Sequence, residues 1–275
     1  MVAKRIRIVG LLIGLLLLMI WPVAAQESRD IPEVVASMGN GTLTVAPSEI
    51  HAGITNLVVE NVDSQTQIQG IVGRLNDGVT PDDLLAVVGN QPAVAQLTSV
   101  YGGLVVPAES SASLILELKP GTNVFLGFEA EPLFFDVAST DVPTAEAPQA
   151  DVTMAIVDFA FGTPPTIEAG ELLWHIQNVG LSLHQVVIIK VDEGTTLDEA
   201  SDLVATALTP TGQLVENSPA EVRFVWVISP GENVWTPIDL EPGSYAVGDS
   251  LPDFTRLPEL HTNLEYGMIR IFTVE

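Results

Sequence analysis

Apolar residues along this chain fall into short runs and alternations, broken every several positions by Gly, Pro or Asn. The stretch Glu171-Leu172-Leu173-Trp174-His175-Ile176-Gln177-Asn178 sets Leu172, Trp174 and Ile176 on one side of an extended segment, because successive side chains of a strand point to opposite faces. His184-Gln185-Val186-Val187-Ile188-Ile189 follows as a compact apolar block, and Ser229-Pro230-Gly231-Glu232 and Leu240-Glu241-Pro242-Gly243 supply turns. Many short strands closed by such turns predict an all-β sandwich architecture. Two segments depart from it. Thr196 and Glu199 make a capping box ahead of a helical stripe of Leu197, Ala200, Val204 and Ala207. Thr80 caps a second helix, with Pro81 at its first position and Gly89-Asn90 as its stop.

The pattern occurs twice. Ile50-His51-Ala52-Gly53 matches Ile167-Glu168-Ala169-Gly170, Val59-Glu60-Asn61-Val62 matches Ile176-Gln177-Asn178-Val179, and Leu118-Lys119-Pro120-Gly121 matches Leu240-Glu241-Pro242-Gly243. A shared order with little drift in spacing predicts internal duplication. The expected units are residues 38–137 and 151–275, with 138–150 as a linker. That linker is small, Pro-bearing and short of large apolar residues, so it reads as a hinge.

The N-terminus changes the picture of where these units work. Lys4, Arg5 and Arg7 precede an uncharged, Leu-rich run, and Pro22-Val23-Ala24-Ala25 ends it in small residues. Residues 1–25 therefore read as a secretory signal peptide, with an uncleaved membrane anchor as the alternative. A secreted or extracytoplasmic location follows. The chain has no Cys, so the exported protein is expected to stand on its apolar core without disulfides. Its net charge is −25, from 35 acidic and 10 basic residues. Such a surface repels phosphate backbones, so nucleic acid is excluded as a partner.

One series of residues is specific. Asp158-Phe159-Ala160-Phe161, Pro164 to Glu171, His175 to Gly180, His184, Pro230-Gly231-Glu232, Leu240 to Tyr245, His261 and Gly267-Met268 occur in an order that resembles the cupredoxins, the plastocyanin and azurin family. The resemblance spans the second unit and implies tandem cupredoxin-like Greek-key β-sandwiches, each with a short inserted helix. It also implies a metal pocket at His184, His261 and Met268, with Asp249 at the position of the family's Cys ligand. In the first unit the matching positions are Gln67 and Gly127, and no metal is expected there.

A blue-copper centre needs a thiolate beside two imidazoles and a weak thioether. With no Cys, blue-copper electron transfer is not expected. Two readings of the four residues stay open. In one, they hold copper in a metallochaperone-like module. In the other they are a relic: His184 satisfied by backbone, Asp249 capping a loop, His261 exposed and Met268 filling core. His51 reads as an exposed turn residue and His175 as a surface or inter-sheet one, while Trp174, Trp226 and Trp235 read as core or sandwich-edge aromatics. No Gly-x-Ser-x-Gly elbow, phosphate-binding Gly-rich loop or His-Glu-x-x-His helix occurs. Asp82-Asp83 sits where a helix dipole favours negative charge. The expectation is a non-enzymatic binding or structural protein of the cell envelope, partnered by an envelope or extracellular protein. It would contact the membrane only if residues 1–25 stay attached, and copper is the one cofactor to test.

Overall fold

The computed structural model describes residues 30–275 apart from 40–41, 63–66, 128–130, 142–143, 210–213, 216–217 and 257–260. The signal or anchor reading of residues 1–25 lies outside the described residues. Nine strands form the first half: β1 (Glu33–Gly39), β2 (Thr42–Ala46), β3 (Ile50–His51), β4 (Gly53–Asn61), β5 (Ile68–Leu75), β6 (Thr98–Val106), β7 (Ser110–Leu118), β8 (Gly121–Gly127) and β9 (Leu133–Ala138). Nine more follow: β10 (Val152–Val157), β11 (Ala160–Gly162), β12 (Thr166–Ile167), β13 (Gly170–Asn178), β14 (His184–Val191), β15 (Glu221–Ile228), β16 (Asn233–Leu240), β17 (Gly243–Gly248) and β18 (Ile269–Val274). Among the described residues the helices are α1 (Pro81–Leu85), α2 (Gln91–Leu97) and α3 (Leu197–Ala207), so the protein is all-β apart from these and short 3₁₀ turns.

The two halves have the same connectivity. The first orders its strands β2-β1-β4-β7 in one sheet and β3-β9-β8-β5-β6 in the other; the second orders them β11-β10-β13-β16 and β12-β18-β17-β14-β15. Each pairs its first and fourth strands in parallel, β1 with β4 and β10 with β13. Each also breaks register at one place, between Val72 and Gly73 and between Ile188 and Ile189. The register agrees with the sequence match at the Asp249 position. The breaks align Val72 with Ile188, and these face Phe125 and Val247, so two residues on Gly127 corresponds to Asp249. Ile68, next to Gln67, opens β5 where His184 opens β14.

The helices explain the unbroken apolar run of β14. Val186 and Ile188 face the interior of the sandwich, while Val187 and Ile189 face outward onto Ala200, Val204 and Ala207 of α3. A strand covered on both faces has no polar side to alternate with. Leu197, read as part of the helical stripe, is instead exposed. Both helical starts carry full capping boxes, Thr196 with Glu199 and Thr80 with Asp83. Asn90, read as a stop, ends α1's turn region and also caps α2 through Ala93 N–H.

The halves are joined more firmly than a hinge implies. β16 pairs antiparallel with β7 through Val234 and Leu116 and through Trp235 and Ile115, making one eight-stranded sheet. Ser229 N–H donates to Val100 O, and Val100 N–H returns a bond to Ser229 Oγ. The Trp226 ring lies against Gly102, where a Cβ would meet Cζ2 at 2.0 Å. Lys119 Nζ reaches the buried Glu232 carboxylate at 2.6 Å. Within the linker, Ala145 is buried and Thr144 lies against the first half, where a Cβ on Gly53 would meet its Cγ2 at 2.2 Å.

Candidate functional site

The site lies at one end of the second half, where strand connections meet. Asn178 ends β13 and organises the loop to β14: its amide N–H groups donate to Ser182 O and Ile228 O, and its Oδ1 accepts from Gly180 N–H. That loop brings His184 to the start of β14 with no side-chain exposure. Asp158 and Phe159 form the two-residue turn between β10 and β11, with Phe159 in the left-handed region at φ 64°. Asp158 Oδ1 accepts from the backbone N–H groups of Leu181 and Ser182 at 2.9 and 3.2 Å. Gly180 permits this approach, since a Cβ there would stand 2.6 Å from that oxygen.

Asp249 follows β17 and is fully buried. Its Oδ2 lies 2.8 Å from His184 Nδ1 and also accepts from Asn263 Nδ2 at 2.8 Å. Its Oδ1 accepts from Leu251 N–H at 2.9 Å. The other ring nitrogen of His184, Nε2, lies 3.1 Å from Asp158 Oδ1. The imidazole is therefore held between two carboxylates, one at each nitrogen.

This arrangement fixes the charges. Burial opposes a charge on His184, but the hydrogen bonds and fields of Asp249 and Asp158 outweigh it and raise its pKa. Burial pushes the Asp249 carboxyl up, and its bond to His184 pulls the other way. The groups facing Asp249 decide its state. Leu251 and Asn263 present N–H donors, which call for an acceptor-only carboxylate, so the shared proton rests on His184. Burial works against Asp158 ionisation, but the Leu181 N–H, His184 and Ser182 N–H bonds together hold its pKa below the usual value.

The four residues read from the sequence separate here. His184 and Asp249 are in direct contact, and the backbone carbonyl of Met268 accepts from Asp249 N–H. The Met268 side chain belongs to the apolar core. His261 does not share their pocket environment. Its side chain is 51% exposed, its Nδ1 bonds Glu265 Oε2, and its ring meets Tyr266 edge-on. The loop residue that enters the pocket is Asn263, held in a 3₁₀ turn over Asn263–Tyr266 that Thr262 caps.

A copper or zinc ion binds imidazole through a ring-nitrogen lone pair. An imidazolium that donates from both nitrogens has none to give. The residues present do not fit a metal without breaking at least one carboxylate bond, and among the described residues no group of three or more His, Asp or Glu is placed to hold an ion. Sequence reasoning missed Asp158 and Asn263. Asp158 had a signal, being a carboxylate at a tight turn in the Asp-Phe-Ala-Phe run; Asn263 had none. His175 stacks flat on Trp235, ring centroids 4.4 Å apart, with Nε2 3.2 Å from Asn233 Oδ1.

No family model matches the chain, and no curated protein matches it. Among solved structures it is similar to an auracyanin from Roseiflexus castenholzii, at 15% identity over 45% of this chain and 94% of that one, TM-score 0.31. It is similar to auracyanin A from Chloroflexus aurantiacus, a "blue" copper protein, at 15% identity over 45% and 98%, TM-score 0.30. A copper nitrite reductase from Nitrosomonas europaea shares 11% identity over 88% of this chain and 93% of that one, TM-score 0.26. The copper in those names belongs to those proteins.

Proposed function

We propose that this protein is a non-enzymatic binding or structural module of the cell envelope, built from duplicated cupredoxin-like sandwiches and exported by residues 1–25. In this reading it is not a blue-copper electron carrier. In this reading a protonated histidine between two carboxylates occupies the pocket for which the cupredoxin resemblance implies a metal ion. The observation that carries the reading is the double engagement of His184, with Asp249 at 2.8 Å on Nδ1 and Asp158 at 3.1 Å on Nε2. The strand-for-strand correspondence of the two halves supports duplication.

The test is titration of the mature protein with Cu(II), Cu(I) and Zn(II) against a competing chelator. The expected result is no stoichiometric uptake at micromolar metal and no intense visible band, because thiolate sulfur is absent from the chain. Stoichiometric copper uptake that is lost in His184→Ala and in His261→Ala would overturn the reading in favour of a copper-holding or metallochaperone module.

A further inference from the structure

A cavity of about 450 Å³ lies in the seam between the two halves. Residues of β5 and β6 form its floor, α2 one wall, and β14, β15, Leu251 and Phe254 the other. Its size falls within the range of small-molecule sites, which occur preferentially where two packed units meet. The chain has 35 acidic residues, yet no charged side chain is among the described residues that line this space.

One polar group in the wall offers a proton. Gln185 uses its carboxamide oxygen to accept from Ser250 Oγ at 2.7 Å, so its contribution to the cavity is N–H. A donor without a partner there is satisfied by an acceptor on a bound molecule. Trp226 contributes apolar ring surface; its indole nitrogen is packed against Gly102, away from the cavity, and its ring is stacked on Phe224 at 5.4 Å.

We propose that this cavity binds an uncharged, mainly apolar small molecule bearing a hydrogen-bond-accepting oxygen, such as an aromatic ketone. The apolar walls exclude ions, because an unpaired charge would lose its hydration there. The acidic surface repels anions from the approach. The Gln185 N–H selects an acceptor oxygen over a plain hydrocarbon. The cavity adjoins the His184 cluster through Leu251, but His184, Asp249 and Asp158 do not line it, so metal titration reads the imidazole and dye binding reads the cavity.

The probe is 6-propionyl-2-(dimethylamino)naphthalene, a neutral ketone whose emission shifts to the blue in apolar surroundings, titrated into the mature full chain. The comparison ligands are naphthalene, which lacks the oxygen, and anionic 2-naphthoate. Saturable one-to-one binding is expected for the ketone, weaker binding for naphthalene and none for 2-naphthoate. Ala95→Phe places a ring in the cavity from α2 and is expected to abolish binding while the circular dichroism stays that of the wild type. Gln185→Met removes the donor and is expected to weaken the ketone about three- to tenfold, with naphthalene unchanged. Absence of saturable binding overturns the proposal. So does ketone binding that survives Ala95→Phe, or 2-naphthoate binding as tightly as the ketone.

Discussion

Replacing Asp249 by Ala tests the assignment of the buried cluster most directly. The substitution leaves three buried donors facing the vacated carboxylate: His184 Nδ1–H, Asn263 Nδ2–H and Leu251 N–H. Each orphaned buried donor costs about 1–3 kcal/mol, and more if it is charged. His184 can shed its proton, which limits its share. A total of about 3–5 kcal/mol follows, the range found when one member of a buried ion pair is removed. For a chain of this length about 1 kcal/mol corresponds to about 2–4 °C in Tm, so Tm should fall by about 6–20 °C. Asp249→Asn keeps the shape and one acceptor oxygen, and should cost less. The assay is urea denaturation at neutral pH of the wild type, Asp249→Ala, His184→Ala and the double variant. A coupling energy of about 1–3 kcal/mol between the two positions is expected. An Asp249→Ala cost below about 1 kcal/mol, the level of an ordinary surface change, would refute the buried carboxylate–imidazolium pairing.

Stability should depend on pH through the same cluster. His184 has a folded pKa raised above 6.5, so its contribution is complete below that value and is lost as pH rises through the raised one. The denaturation midpoint of the wild type should fall as pH rises from 6.5 through the raised pKa, that of His184→Gln should not, and a flat wild-type profile would contradict the assignment. Asp158 has a lowered pKa, so its share is present above 3.8 and fades as acid protonates it; Asp158→Asn should flatten that acid limb. Gly180→Ala drives a Cβ to within 2.6 Å of Asp158 Oδ1 and should cost about 1–3 kcal/mol, whereas Gly162→Ala, with no neighbour closer than 3.4 Å, should cost far less in the same melts. Lys119→Met strands the Glu232 carboxyl, whose pKa burial already raises. With Lys119 partly exposed, the loss should be about 1–3 kcal/mol at neutral pH, vanishing in acid once Glu232 is protonated, and an equal loss at both pH values would show that packing is responsible.

Much of the fold was legible because its determinants are local. The alternation of Leu172, Trp174 and Ile176, the Thr196–Glu199 box and the Pro-Gly turns each act within a few residues. The apolar block of β14 and the helix at Thr196 were each visible, but that the helix covers the strand's outer face was read only from the structure. The joint between the halves was not legible. It rests on a two-pair ladder between β7 and β16 and on Trp226 lying over Gly102, and nothing in either strand's own periodicity marks it. In the site, His184 and Asp249 could be named because the resemblance fixed their places. His261 was named for the same reason, but the Thr262-capped 3₁₀ turn directs Asn263 inward and leaves His261 beside Glu265 on the surface. A one-turn loop conformation of that kind decides which side chain enters a pocket, and residue type alone does not encode it.

The order of charges in the cluster has a physical logic. Two carboxylates and one imidazolium carry one excess negative charge, and its position decides what the arrangement costs. Asp249, with no exposed surface, has its charge matched by the imidazolium and by N–H donors from Asn263 and Leu251. Asp158, with 31% of its side chain exposed, has water on one side and the N–H dipoles of Leu181 and Ser182 on another. The excess charge therefore sits at the solvent end, where desolvation is least. The same row of atoms ties the β10–β11 turn, the head of β14, the segment after β17 and the Asn263 turn to one point. Apolar contacts are non-directional and would let these loops slide. Directional bonds from a charged ring hold them in register, a task that in a metal protein falls to the ion's coordination sphere, and that here requires only the proton His184 retains between its two carboxylates.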